Sequence, residues 1–299
     1  MPITWPYRGF SQWPEGYRAA ACFTWDVDDE APFYSRPSTK RLEISEAEQR
    51  QYGVRLALPM IVEMLESMKI PGAFYVPAFI ARRWSTLFYE LSAAGYEIGG
   101  HGDLHEPVGG MMREEEARII AQSKHVLQEV CGHEIIGYRT PAWQCTPATM
   151  DLLTQAGFLY DSSLMGDIAP YRVRSGGQTD LIEVPIHWYW DDVEYWGHTQ
   201  ATRDHAIAPL SHVLEIWKAE LDGVVRSGGS FVLTLHPHVS GRPGLLEVVR
   251  EFIAYAQSVS GLWLTTPSAV AQYVRTCDGM PVVEMAPAEP DSRYSRVQI

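Results

Sequence analysis

Two histidines, His101 and His105, stand four residues apart in Gly100-His101-Gly102-Asp103-Leu104-His105-Glu106. That spacing puts both imidazoles on one side of a turn or helix. Joined by one carboxylate they would make a three-ligand metal site with a position left open, as catalytic rather than structural metal sites have. The carboxylates are at hand in Thr24-Trp25-Asp26-Val27-Asp28-Asp29-Glu30. Residues two apart on a strand face the same way, so if the strand persists that far Asp26 and Asp28 share a face and Asp29 points off it, and Asp28 or Asp29 is left as the ligand. One acid can bind the metal while the other takes a proton from water that the metal acidifies. His236, which ends the apolar run Phe231–Leu235, could protonate a departing nitrogen. Arg139 precedes Thr140-Pro141, so its backbone is expected to be extended, and its guanidinium could orient Asp26 by a two-pronged pair. The plainer readings are two unrelated polar histidines, a solvated acidic turn at Asp29 and Glu30, and a surface ion pair for Arg139. His238 has no partner in the sequence and reads as structural.

These residues come together only if strand ends bring them together. Short apolar runs predict strands at Ala19–Trp25, Ala73–Val76, Glu97–Gly100, Ile135–Tyr138, Leu159–Asp161, Leu181–Ile186, Ser230–Leu235 and Leu262–Thr265. Apolar 3–4 spacing predicts helices at Val54–Met68, Ile80–Ala94, Glu114–Val130, Ala148–Ala156, Leu210–Arg226 and Leu245–Gln257. Strand–helix alternation of this kind means a mainly parallel sheet. We therefore expect an α/β fold, a distorted (β/α) barrel of about seven or eight strands with reacting residues at the strands' C-terminal ends. An open doubly wound sheet is the second choice, but no GxGxxG follows a first strand. Residues 1–285 read as one barrel domain. Residues 286–299, polar and proline-bearing, read as a tail or an arm crossing to another subunit. The segment His187-Trp188-Tyr189-Trp190 … Tyr195-Trp196 breaks the alternation and is expected to wall the pocket or a subunit contact. Tyr138, Trp143, Trp188 and Trp190 are the expected substrate-binding residues.

The chain has 299 residues, of which 46% are hydrophobic, and a formal charge of −13. That charge argues against nucleic acid or an anionic membrane as partner, since both call for a basic surface. Pro2, Pro6, Arg8, Pro14 and Glu15 interrupt any signal-peptide run, and no stretch approaches the roughly 20 apolar residues of a membrane span. A cytoplasmic location is the expectation. The four cysteines are scattered, with no CxxC, and read as free thiols.

The ordered set DVD, HGxxH, RTPAW, DSS and TLHPH resembles the motifs of the NodB-homology polysaccharide deacetylases, over roughly Arg18 to Arg275. Tyr52-Gly53-Val54-Arg55, Tyr160 to Asp167 and His236 to Pro243 resemble in particular the branch of peptidoglycan deacetylase-like proteins and cyclic imidases. The resemblance implies zinc or a similar divalent ion on Asp28, His101 and His105. It also implies Asp26 as base, Arg139 as its tether and His236 as acid, in a hydrolase of non-peptide C–N amide bonds. Three departures stand out: Val27 separates the two acids, Gly102 replaces a small hydroxyl residue, and Asp103 takes an aromatic's place. Metal-free allantoinases share the barrel, but Asp28, His101 and His105 are all retained here. A small cytosolic cyclic imide or amide is the expected substrate, handled by a homo-oligomer. The alternatives are N-deacetylation of an amino-sugar polymer or peptidoglycan, and a non-catalytic barrel that binds a sugar or metabolite.

Overall fold

Every residue of the first strand, β1 (Ala19–Asp26), is buried, as a strand covered on both faces must be. In the computed structural model, which describes residues 10, 12–35, 44–175, 178–198 and 206–285, nine further strands follow. They are β2 (Ala73–Val76), β3 (Glu97–Gly100), β4 (Gly137–Tyr138), β5 (Tyr160–Asp161), β6 (Tyr171–Ser175), β7 (Gln178–Glu183), β8 (Ser230–Leu235), β9 (Leu262–Thr265) and β10 (Val282–Glu284). The sheet order is β10-β6-β7-β5-β4-β3-β2-β1-β8, with β9 on the lower part of β1. All pairings are parallel except the β6–β7 hairpin. The ring closes at one place: Asp191 bridges Thr234 of β8, and Asp192 N–H donates to the Thr234 carbonyl at 3.2 Å. The expected α/β barrel is thus present, with β6 and β10 added outside its alternation. Residues 286–299 lie outside the described part.

Between the strands run α1 (Ala31–Ser35), α2 (Ile44–Tyr52), α3 (Leu58–Met68), α4 (Ala78–Arg83), α5 (Ser85–Ala93), α6 (Arg113–Cys131), α7 (Thr149–Gln155), α8 (Val193–Trp196), α9 (Leu210–Ser227), α10 (Pro237–Ser240), α11 (Pro243–Ser258) and α12 (Pro267–Arg275). A π-helical turn, Gly53–Ala57, joins α2 to α3. The helix expected over Ile80–Ala94 breaks at Trp84 (φ −119°, ψ 38°). Its apolar spacing survives the break because Ile80, Phe88 and Leu91 all still face the core.

Alternation along β1 divides the core. Ala19, Ala21, Phe23 and Trp25 pack with the helices, while Ala20 and Cys22 pack inside the ring with Tyr75, Tyr160, Ile182 and Val232. Helix α9 shows why the outer layer adheres: Val213, Trp217, Leu221 and Val224 form one buried stripe at 3–4 spacing, with Trp217 edge-on to Phe252. Each such side chain contributes about 1.5–3 kcal/mol by leaving water. The apolar plug fills the lower ring and stops short of the strand ends. There Thr24, Asp26, Arg139, Ser162, Thr234 and His236 take over, all buried. The four cysteines are free thiols. Among the described residues, no helix is long and apolar enough to cross a membrane.

Candidate active site and metal centre

Val27 N–H donates to the Tyr75 carbonyl at 2.8 Å, so pairing with β2 carries β1's alternation one residue past its end. Val27 then enters the core, and Asp26 and Asp28 share the upper face of the barrel. Asp28 Oδ1 lies 3.3 Å from His101 Nε2, and its Oδ2 lies 3.6 Å from His105 Nε2. One ligand atom from each of the three lies within 4.8 Å of the others. His101 Nδ1 is 2.7 Å from the Arg139 carbonyl. A carbonyl only accepts, so Nδ1 carries the proton and Nε2 presents its lone pair toward Asp28.

His105 reaches the same point from a loop. The spacing of four is bridged without a helix, because His105 takes a left-handed conformation (φ 54°). Gly102 (φ 71°) begins that loop, and a Cβ there would meet Glu106 Oε2 at 2.9 Å and Pro141 Cγ at 3.0 Å. With φ at 71°, any side chain in place of this glycine would be strained.

The electrostatics suit a cation. Burial would raise the Asp28 pKa, but the His105, His101 and His236 imidazoles outweigh it and hold the carboxyl well below its usual range. Burial, against the pull of Asp28, lowers His105 to about 4, so its ring is neutral and free to ligate. Burial lowers His101 too, yet Asp26 and Asp28 raise it overall, which means positive charge at Nε2 is favoured, whether proton or metal. Asp28 Oδ1 is buried without a hydrogen-bond donor. One carboxylate and two imidazoles with an orphaned oxygen fit a divalent ion of the zinc type.

Asp29 belongs elsewhere. It turns away (φ 43°) and is buried against Glu30, which itself pairs with Arg83. Burial together with Glu30 pushes its carboxyl up to about 9. These two acids are enclosed, not the solvated turn that the sequence suggests. A protonated carboxyl is a poor ligand, so Asp29→Ala is expected to leave metal content near wild type while Asp28→Ala lowers it. Metal analysis after dialysis decides between them, and the opposite result would reassign the ligand.

Arg139 is fully buried and uses its whole fork. Nη1 donates to Asp26 Oδ1 at 2.7 Å and to Thr24 Oγ1 at 3.0 Å; Nε and Nη2 donate to the Ser162 carbonyl and hydroxyl at 3.0 and 3.1 Å. Its Cζ sits 4.1 Å from the centre of the Tyr75 ring. One Asp26 oxygen is therefore tied, and the other, Oδ2, faces His101 Nε2 at 3.9 Å.

His236 stands at the β8 end with Nε2 3.8 Å from Asp28 Oδ2. Its Nδ1 is 2.8 Å from Asp192 Oδ1 and 3.7 Å from Asp191 Oδ1, and Asp192 Oδ2 accepts from the His236 and Ser240 backbone N–H groups. Burial opposes the charge, but Asp192, its hydrogen bond, Asp191 and Asp28 raise His236 to about 10. Sequence reasoning missed Asp191 and Asp192. The only signal was a pair of acids beside an aromatic run with no helical spacing.

A cavity of about 540 Å³ opens over these groups. Trp143 and Trp188 border it, stacked at 4.4 Å between ring centres and 26° between planes. Trp143 and its neighbour Ala142 both have positive φ (55° and 50°), a clustering of strain found where side chains are held for a task. Trp190 and Tyr138, two of the expected substrate contacts, do not line it. Trp188–Trp190 is a 3-10 turn of about three residues per turn, so the two tryptophans face differently: Trp188 is 42% exposed and Trp190 2%. Trp190 packs on Phe231 and donates to Glu220. Tyr138 alternates with Arg139 on β4 and turns toward Phe158, while its hydroxyl accepts from Gly102 N–H at 3.1 Å behind the histidine loop.

Residues 52–160 match the family described as polysaccharide deacetylase. Over 237 residues the chain is 27% identical to the peptidoglycan deacetylase of Helicobacter pylori, covering 70% of this chain and 81% of that protein. A crystal structure from Mycobacterium smegmatis, of a protein assigned to the polysaccharide deacetylases, superposes with a TM-score of 0.88 at 32% identity, over 95% of this chain and 98% of that one. The structure of the Puue allantoinase has the same fold, with a TM-score of 0.79 at 21% identity over 91% and 97% of the two chains.

Proposed function

The chain belongs to the polysaccharide deacetylase family, hydrolases of amide bonds, and from that premise we propose that it opens small cyclic imides or ureides with the help of a divalent ion, zinc by its donor set. The carrying observation is the cavity: about 540 Å³, with a stacked tryptophan pair beside the acid, base and ligand residues. A flat ring finds an aromatic face to lie on there. Held by Asp28, His101 and His105, the ion would polarise the scissile carbonyl and lower the pKa of water. Asp26 Oδ2 is placed to take a proton from that water. Arg139 holds Asp26 still through its Nη1 hydrogen bond to Oδ1. His236, charged through its pairing with Asp192, presents Nε2 to the same space and would give a proton to the leaving nitrogen. A small substrate agrees with a cytoplasmic location, which is part of the proposal. Trp188, Tyr189 and Ile216, exposed around a second surface hollow, support the homo-oligomer.

The rival reading is removal of acetyl groups from an amino-sugar polymer, favoured by the likeness to the Helicobacter pylori enzyme. A panel separates the two. The metal-loaded enzyme is expected to hydrolyse succinimide-, glutarimide- or hydantoin-type rings faster than N-acetylated chitooligosaccharide at neutral pH. Acetate release from the oligosaccharide, with no ring opened, would restore the deacetylase.

A further inference from the structure

The cavity wall that follows His236 has no part in the chemistry above. His238 lines the cavity, is only 7% exposed, and its Nδ1 has no hydrogen-bond partner. Burial, then Arg50, His236 and Arg242, holds its pKa well below the usual histidine value, so the ring is neutral. In the Nδ1-protonated tautomer it offers a buried donor with nothing to accept it.

Arg242, on the same wall, is fixed two ways. Pro243 keeps its backbone extended (φ −68°, ψ 141°). Its guanidinium lies over the Tyr52 ring, 3.7 Å from the centre. The Tyr52 hydroxyl donates to the Gly241 carbonyl at 3.0 Å, so the platform is itself anchored. No acid pairs with Arg242 among the described residues. Arg242 also stands at the N-cap of α11, whose first turn no side chain caps and whose Leu245 borders the cavity. A 16-residue helix presents partial positive charge and unsatisfied N–H groups at that end. Acids of the cavity have other neighbours: Asp191 accepts from Val193 N–H at 2.7 Å, and Glu46 lies one turn from Arg50 on α2.

We propose that Arg242, His238 and the start of α11 form a carboxylate subsite, so that the preferred substrate is an anionic cyclic imide or ureide whose carboxylate lies away from the bond that is cut. The ring in this statement rests on the proposed function; the carboxylate does not. A two-pronged guanidinium–carboxylate contact is worth roughly 10- to 100-fold in affinity. The metal-loaded enzyme is therefore expected to show a KM for hydantoin-5-acetate at least about 10-fold below that for hydantoin. Arg242→Gln should raise the first by a similar factor and leave the second within about twofold. Arg242→Lys should fall between, since it keeps the charge and loses the fork.

The same comparison is repeated with N-acetylmuramic acid and N-acetylglucosamine, which differ by a carboxylate on a lactyl arm. If neither ring opens but the muramic acid is preferred and Arg242→Gln removes the preference, the subsite stands and the ring-opening reading falls. Calorimetric binding of both pairs reads the contrast without turnover. Equal affinity for the charged and neutral members of both pairs, or an equal loss on both in Arg242→Gln, would overturn the subsite.

Discussion

Asp26→Asn is expected to keep bound metal and lose roughly 10²–10⁴ in kcat, the range for a missing general base. The amide oxygen can still accept from Arg139 Nη1, now 2.7 Å from Asp26 Oδ1, but the side chain can no longer take a proton. Asp26 is not among the three side chains that could hold the metal, so metal content should stay at the wild-type level. The substitution does leave Arg139, fully buried, without its counter-charge. Breaking such a pair can cost on the order of 3–5 kcal/mol. The melting temperature must therefore be recorded with the kinetics, and kcat measured well below it. A kcat within about tenfold of wild type would remove Asp26 from the role of base.

His105→Ala is expected to abolish tight metal binding, and catalysis with it. Two remaining ligands cannot hold a catalytic ion well. Of the two histidines His105 gives the cleaner experiment, because His101 Nδ1 also bonds the Arg139 carbonyl at 2.7 Å and its loss would disturb Arg139, which tethers Asp26. His101→Ala should lose both metal and some stability. Metal analysis after dialysis, with circular dichroism to establish folding, reads the outcome. Wild-type metal content in both variants would end the Asp28/His101/His105 centre.

Much of this site was legible because it sits where strands end, and apolar runs mark strand ends well. Asp26, Asp28, His101, Arg139 and His236 each follow such a run and each faces the cavity or its floor. Period-two alternation puts Asp28 on the face of Asp26 and turns Asp29 off it, and the structure has them so, since Val27 continues the ladder with β2. The same alternation, applied to Tyr138 beside Arg139, would have turned the tyrosine away from the cavity. Trp190 was beyond it, because a 3-10 turn has no period of two. Asp192 was out of reach for a different reason: its partner His236 is 44 residues away, and only the closing of the ring joins them. β6 and β10 were missed because Tyr171–Ser175 forms an antiparallel hairpin and Val282–Glu284 a short, half-exposed edge strand, both departures from the repeating unit. Helix α2 carries no buried residue, so no apolar stripe announces it. Helix α12 does carry one, in Val270, Ala271 and Val274, and its residues plug the lower ring.

The single bridge between Asp191 and Thr234 has a kinetic meaning. Other joints of the ring range from six registered pairs between β1 and β8 and four between β2 and β3 down to one between β3 and β4. A seam with one registered strand pair, its other bonds made by Asp192, is expected to breathe ahead of the long ladders, at the low end of the local opening energies found within one protein. The Asp192 and Trp190 amides are then expected to exchange with deuterium ahead of those in β1 and β8. Because Asp192 carries both halves of its bond to His236 across that seam, each opening would also uncouple His236 from its counter-charge. Ligands that bridge the two sides would slow exchange and sharpen the enzyme's acid chemistry together, so that a deuterium-uptake time course at one amide would report how often the active site is whole.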